Sequence, residues 1–360
     1  IEDDGLVSIS RWMRGSNQLE AARLVLLAER ALEEEGFARP KAHLAAVQGG
    51  DIVTLLLARR PFDAEQVARL DAIAEERGFL RHWPLPPAVP PNSQIIEVLL
   101  QGPERLEAHG LYLAPPTDDA PFFFQNIRGF TRVDPQLMSR LSLSDQAALL
   151  PRFLILSVGL LTLMLFFTPF LFTQVERVPS FWWGSGYFTA IGLGFLWLEI
   201  PLIQKFVLYL GHPSYATTVV LSTLLLGTGI GSLIAGRVSW MLLSRARWVL
   251  PAAGAGVVLL APWVIRETLG WAFAPRVILS LMLTAPLGFV LGFGFPTGMI
   301  RFGDGSRAWF WALNGAAGVL ASVSSVTLAA YWGLPGVAWL GVGCYAAACF
   351  FLPWNRPTAS

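Results

Sequence analysis

Residues Ile191 to Arg237 read IGLGFLWLEIPLIQKFVLYLGHPSYATTVVLSTLLLGTGIGSLIAGR, and this stretch decides the fold. It is too long and too apolar for a buried helix of a soluble domain. Yet it sets Glu199, Gln204, Lys205 and His212 where hydrocarbon would surround them. Pro201 removes a backbone hydrogen bond from a first helix, and Gly211, His212 and Pro213 interrupt the chain before a second apolar run. The expectation is two transmembrane helices joined at a polar elbow inside a packed bundle. Gly227 with Gly231, and Ser232 with Gly236, have the spacing that lets a neighbouring helix approach backbone to backbone.

Outward from this stretch the 360-residue chain divides near Arg152. Most of the acidic residues lie before that point, and the long apolar runs lie after it. The mean hydropathy of +0.53 is above the soluble norm. A net charge of +1 without a dense Lys/Arg block argues against a nucleic-acid partner and marks no anionic-lipid patch along the sequence. Cys344 and Cys349 fall on different sides of one apolar helix, which suits inert packing residues. The chain opens at Ile1 with neither a signal nor a transit peptide in residues 1 to 15. The N-terminus is therefore expected to be a cut, with the missing N-terminal part of the same protein as a partner.

In the polar part, GLVSIS at Gly5 to Ser10 reads as a strand ending in Arg11 and Trp12. A helix follows over Gln18 to Glu35, with Asn17 and Glu20 at capping-box spacing and Gly36 as its stop. His43 to Gln48 and Ile52 to Ala58 flank Gly49-Gly50-Asp51 as a hairpin, and Asp63 with Gln66 caps another helix that stops at Gly78. Strands on both sides of Gly49-Gly50 make it a turn rather than a phosphate loop. An α/β sheet whose last two strands form an antiparallel hairpin fits the C-terminal half of a class I methyltransferase-like, or Rossmann-like, domain, here residues 1–83. Residues 1 to 150 hold neither the glycine-rich turn nor the ribose-binding acid of such a domain.

Residues 84–149 read as a connector and juxtamembrane segment. Trp83 to Pro91, WPLPPAVPP, is stiff and extended, and Pro135 to Leu149 suits an interfacial helix. Within TDDAPFFFQ, at Thr117 to Gln125, the adjacent Asp118 and Asp119 do not face one metal well, so a capping or loop role is expected. The three phenylalanines suit packing on a membrane surface. Residues 150–355 then give about seven spans, centred near Leu161, Gly194, Leu224, Val257, Pro286, Val319 and Gly343. Asn314 lies early in the sixth, after Trp309 and Trp311, and Gly288 with Gly292 and Gly294 with Gly298 repeat the small-residue spacing in the fifth. Arginines fall on both sides of a seven-span layout and leave its orientation open.

Taken in order, SISRW, a helix, a hairpin, TDDAPFFFQ, GLGFLWLEIPLIQKFVLYLGHPSYA, GIGSLIAGR and WALNGAAGVLASV resemble the bacterial membrane-fused spermidine synthase-like proteins. LIQKFVLYLGHPSYA is the most specific of these phrases. The resemblance implies a C-terminal fragment of a protein that joins an α/β aminopropyltransferase- or methyltransferase-like domain to an all-α multi-span transmembrane bundle. It implies S-adenosylmethionine or its decarboxylated form as donor for the full-length parent, and a role in polyamine biosynthesis with a polyamine or other amine as substrate. It implies the inner membrane as location, with the soluble part in the cytoplasm.

The family's cofactor loop, ribose-binding acid and catalytic Asp would lie upstream of Gly5. This fragment is therefore expected to bind no cofactor and to be inactive by itself, with no catalytic residue assignable. The matching positions are Arg11, Asp118, Asp119, Glu199, Gln204, His212, Pro213 and Asn314, and Lys205 joins them as a candidate functional residue. Three functions stand: a membrane-anchored transferase, a transporter-like module with a polar intramembrane site, and a scaffold. Glu199 is expected to face the bundle interior and to find a donor among Gln204, Lys205, His212 or a helix from the second half of the bundle.

Overall fold

The computed structural model describes residues 5–13, 19–87, 90, 93–108, 110–127, 150–172, 180–303 and 306–352. Asn17 and the interfacial helix expected over Pro135 to Leu149 lie outside them. The chain forms two units, Ile1–Thr117 with Pro121–Leu150, and Asp118–Ala120 with Pro151–Ser360.

The first unit runs β1 (Leu6–Trp12), α1 (Leu19–Glu34), β2 (Leu44–Gly49), β3 (Ile52–Ala58), α2 (Ala64–Arg77), β4 (Leu80–Trp83), α3 (Gln94–Gln101) and α4 (Glu104–Ala108). Helix α1 has apolar residues at Ala21, Leu24, Val25, Ala28 and Leu32, a helical stripe that packs on Leu44, Ala46, Val53 and Leu55 of the sheet. Its other face, Leu19, Ala22 and Leu26, packs on Val98, Leu111 and Ile127. Helix α2 forms where its caps dictate: Asp63 accepts from the Gln66 N–H, the Gln66 side chain returns the bond, and Gly78 at φ 67° closes the last turn.

The sheet order is β1-β3-β2-β4, and all three pairings are antiparallel. The expected strand, helix and hairpin are present, and β3 lies between β1 and β2. A Rossmann-like sheet is mostly parallel. No parallel pair occurs among the described residues, so what the first unit shows is a small four-stranded antiparallel sheet packed with helices, not a Rossmann-like sheet. Elements not expected include β4, α3 and the short α4. Strand β4 pairs with β2 through Arg81 and Trp83. Helix α3, inside the segment read as a connector, buries Ile95, Ile96, Val98 and Leu99 and belongs to the core.

The second unit runs α5 (Leu150–Phe172), α6 (Ser180–Leu210), α7 (Pro213–Ala235), α8 (Trp240–Ala246), α9 (Val249–Thr268), α10 (Phe273–Leu291), α11 (Gly294–Phe302) and α12 (Arg307–Phe351). Five stretches, Ser180–Leu210, Pro213–Ala235, Trp240–Thr268, Phe273–Phe302 and Arg307–Phe351, are apolar and long enough to cross a membrane, which is compatible with a membrane protein. Gly333, at φ 71° and ψ 169°, breaks the 45-residue α12 into two legs. Seven spans were expected, and five stretches among the described residues have the length and apolarity of one.

Helix α6 is the axis of this unit. A Cβ on Gly192 would lie 2.5 Å from the Asn314 carbonyl, and Trp197 donates to Ser324 at 3.2 Å, so the first leg of α12 runs alongside α6 in the same direction. Gly194 meets Tyr345 and Gly341, and Gly186 meets Phe351, so the second leg runs back against it. On α7, a Cβ on Gly227 would come 2.8 Å from the Phe289 nitrogen and one on Gly231 only 2.1 Å from its carbonyl oxygen. Gly288 and Gly292 answer from α10 with equally close approaches to Leu224 and Thr228. The Ser232/Gly236 pair does not act this way, because the space beside Gly236 is open.

Candidate functional site

The break between the two helices falls where expected, α6 running through Pro201 to Leu210, and the difference lies in His212. Gly211 at φ 79° then turns the chain, the His212 ring nitrogen accepts from the Ser214 N–H at 3.2 Å, and Pro213 takes the first position of α7. His212 is exposed. It is a helix cap at an end of the bundle, not a buried group, and the run His-Pro carries the signal for that, an N-cap residue followed by proline.

Glu199 sits in the middle of α6 and is 4% exposed. The close packing of Leu198 on Gly341 and of Gly194 on Tyr345 leaves it among apolar neighbours and the Tyr345 phenol, with which it interacts electrostatically. Its Oε1 has no hydrogen-bond partner. The expected donor is not supplied. Lys205 turns instead to Asp119, its Nζ 2.8 Å from Oδ1, with the lysine side chain 13% exposed and the aspartate 60%. Among the described residues no hydrogen bond or ion pair joins Gln204, His212 or Asn314 to Glu199. Gln204 is half-buried, and Asn314 lies against Gly192.

Asp119 does a second thing: its backbone carbonyl accepts the Leu334 N–H at 2.7 Å. That N–H follows the Gly333 break and has no carbonyl one turn back to bond. A Cβ on Gly333 would press on the Asp119 carbonyl at 3.1 Å. Asp119 thus has a loop role, fixing the reversal of α12 by its backbone and the end of α6 by its carboxylate. Asp118 is exposed and takes no part. No trio of His, Cys, Asp or Glu among the described residues has metal-site geometry.

In the first unit the phenylalanine run is divided, with Phe124 exposed and Phe123 turned inward. Phe123 packs on the unit's core, and the Arg11 guanidinium lies 5.3 Å from the Phe123 ring and 5.9 Å from the Phe124 ring, joining two of the phrases that carry the resemblance. Beneath them is a residue that sequence reasoning missed, Arg23 on α1. It donates to the carbonyls of Ala114, Phe122, Phe123 and Gln125 at 2.8 to 3.1 Å. Burial pushes this guanidinium down to about 10, a value at which it stays charged near neutral pH. A second missed group is His82, 1% exposed, between the Ser93 hydroxyl at 2.7 Å and the Gln48 amide oxygen at 2.9 Å. Ser93 also caps α3 through the Ile96 N–H, so the trio ties β2, β4 and α3 together. Burial lowers the His82 imidazole below its usual range.

Compared with protein-family models, curated proteins and solved structures, the chain matches none.

Proposed function

We propose that the protein is a membrane-anchored, spermidine synthase-like transferase, which moves an aminopropyl or methyl group from S-adenosylmethionine or its decarboxylated form to an amine. The observation that carries this reading is the β1-α1-β2-β3 order with β3 lying antiparallel between β1 and β2, the ending expected of a methyltransferase-like sheet. The Arg11 contact with Phe123 and Phe124 supports it, since it joins residues from two separate phrases of the resemblance. A sulfonium donor is already activated, so such a transfer asks little of the protein beyond positioning and one general base. The test is calorimetric titration of the full-length protein with both donors. Micromolar binding of one supports the reading; no binding of either overturns it.

A second reading is favoured by one observation, the buried Glu199 carboxylate with an unpartnered Oε1. A carboxylate held this way inside an apolar bundle suits the transient binding of an amine or a proton. In proteoliposomes, Glu199→Gln should abolish uptake of labelled spermidine or a coupled proton flux. Unchanged fluxes would remove this reading.

A further inference from the structure

One end of the second unit gathers groups that lie far apart in the sequence. Arg237 follows α7, Arg245 and Arg247 flank the end of α8, Arg301 is in the last turn of α11, and Arg307 opens α12. These positions share one end because Arg247 Nη1 donates to the Leu352 carbonyl at 2.5 Å, Phe302 packs on Tyr187 and Phe310, and Arg307 approaches Gly303. The carboxylates described in residues 180–352 are Glu199, in mid-helix, and Glu267, near the opposite end of α9.

At this same end the bundle encloses a cavity of about 290 Å³. Its wall is built by Leu242 and Ala246 of α8, Leu250 of α9, Val290 of α10, Tyr345 of α12 and, at its edge, Arg247. The wall is almost wholly apolar, and two of its polar groups are engaged inside the protein: the Tyr187 hydroxyl donates to the Gly294 carbonyl at 2.7 Å, and the Cys349 thiol reaches the Tyr345 and Arg247 carbonyls at 3.2 Å. A polar solute therefore gains little here, whereas hydrocarbon gains from burial. Alongside runs α8, seven residues with Leu243 buried, Met241 and Leu242 exposed, and Arg245 exposed in the last turn. That is the pattern of a short helix lying in a membrane interface.

We propose that this cavity holds one acyl chain of an anionic phospholipid, whose headgroup is bound by the arginines around Arg245 and Arg247. The apolar wall selects the chain, and the cationic rim selects the headgroup over a zwitterionic one.

The test uses the full chain, delipidated in an uncharged detergent and titrated separately with dioleoyl phosphatidylglycerol and dioleoyl phosphatidylcholine. Retained lipid is counted by native mass spectrometry. The expected result is one phosphatidylglycerol retained at a concentration at least about tenfold lower than phosphatidylcholine, with the preference weakened by Arg245→Gln. Ala246→Trp, which fills the cavity, should reduce retention about tenfold while the thermal unfolding midpoint stays near that of the parent. If that variant does not fold, the smaller Val290→Phe is read in its place. Equal retention of the two lipids, or a folded filled variant that keeps phosphatidylglycerol as well as the parent does, overturns the proposal.

Discussion

Glu199 turns an expectation around. A paired carboxylate loses stability when removed, but one with an unpartnered buried oxygen gains it, because the desolvation cost disappears with the group. Glu199→Leu should therefore raise stability by about 1–3 kcal/mol, read as a higher unfolding midpoint in detergent. A lower midpoint would mean that a partner exists. His82 gives a second prediction, through pH. Its folded value lies below its unfolded one, so the unfolded chain binds the extra proton first. Its contribution is then whole above about pH 6.5 and is lost as the pH falls toward the lowered folded value. The parent's unfolding midpoint should drop more between pH 7.5 and pH 5 than that of His82→Asn, and equal drops would exclude the histidine as the cause. Neither site was fully legible in the sequence. The position of Glu199 was, because apolar residues surround it locally, but its lack of a donor depends on Lys205 pairing with Asp119, which lies 86 positions earlier in the chain.

Elements whose signals are local were read well. The Asp63/Gln66 box and Gly78 fix α2 within a few residues of chain, and the Gly49-Gly50-Asp51 turn fixes the hairpin. Strand β4 escaped because it has only four residues before Pro84 and is held from outside, by β2 and by the paired Arg81–Asp71 charges linking it to α2. Helix α3 escaped because proline-rich sequence leads into it, although Ser93 is a proper cap and accepts the Ile96 N–H. In the bundle, small residues announced close packing but not which helices would meet. The α7–α10 contact allows a sharp comparison. A methyl group on Gly231 would collide with the Phe289 carbonyl, whereas one on Gly229 meets open space. Gly231→Ala should cost about 1–3 kcal/mol in detergent unfolding, and Gly229→Ala should cost none of it. Equal effects would mean that α7 and α10 do not touch through their glycines.

For the whole molecule, the layout makes a claim about sides. If all seven spans expected from the sequence after Leu149 cross, a reporter fused there and one fused after Ser360 sit on opposite faces of the membrane, and matching reports would show that one of them does not cross. Orientation itself is read by the reporters, with Arg237, Arg245, Arg247, Arg301 and Arg307 at one end of the bundle and Arg266 and Arg276 at the other. Asp119 ties distant parts of the second unit together, and its worth can be measured with Lys205. A double-mutant cycle on the pair should give a coupling of about 0.5–1 kcal/mol, modest because the aspartate is largely exposed. Gly333→Ala should cost more than Asp119→Ala, because it strains a left-handed residue and also disturbs the Asp119 carbonyl. The backbone bond from Leu334 to Asp119 has a consequence in time. During synthesis the acceptor emerges first and its donor more than two hundred residues later, so the two legs of α12 close onto a peptide made before α5 to α12 existed. A nascent chain stalled before Leu334 would already own every residue of the Lys205 pair, yet it would hold that carbonyl open, waiting for the second leg of α12.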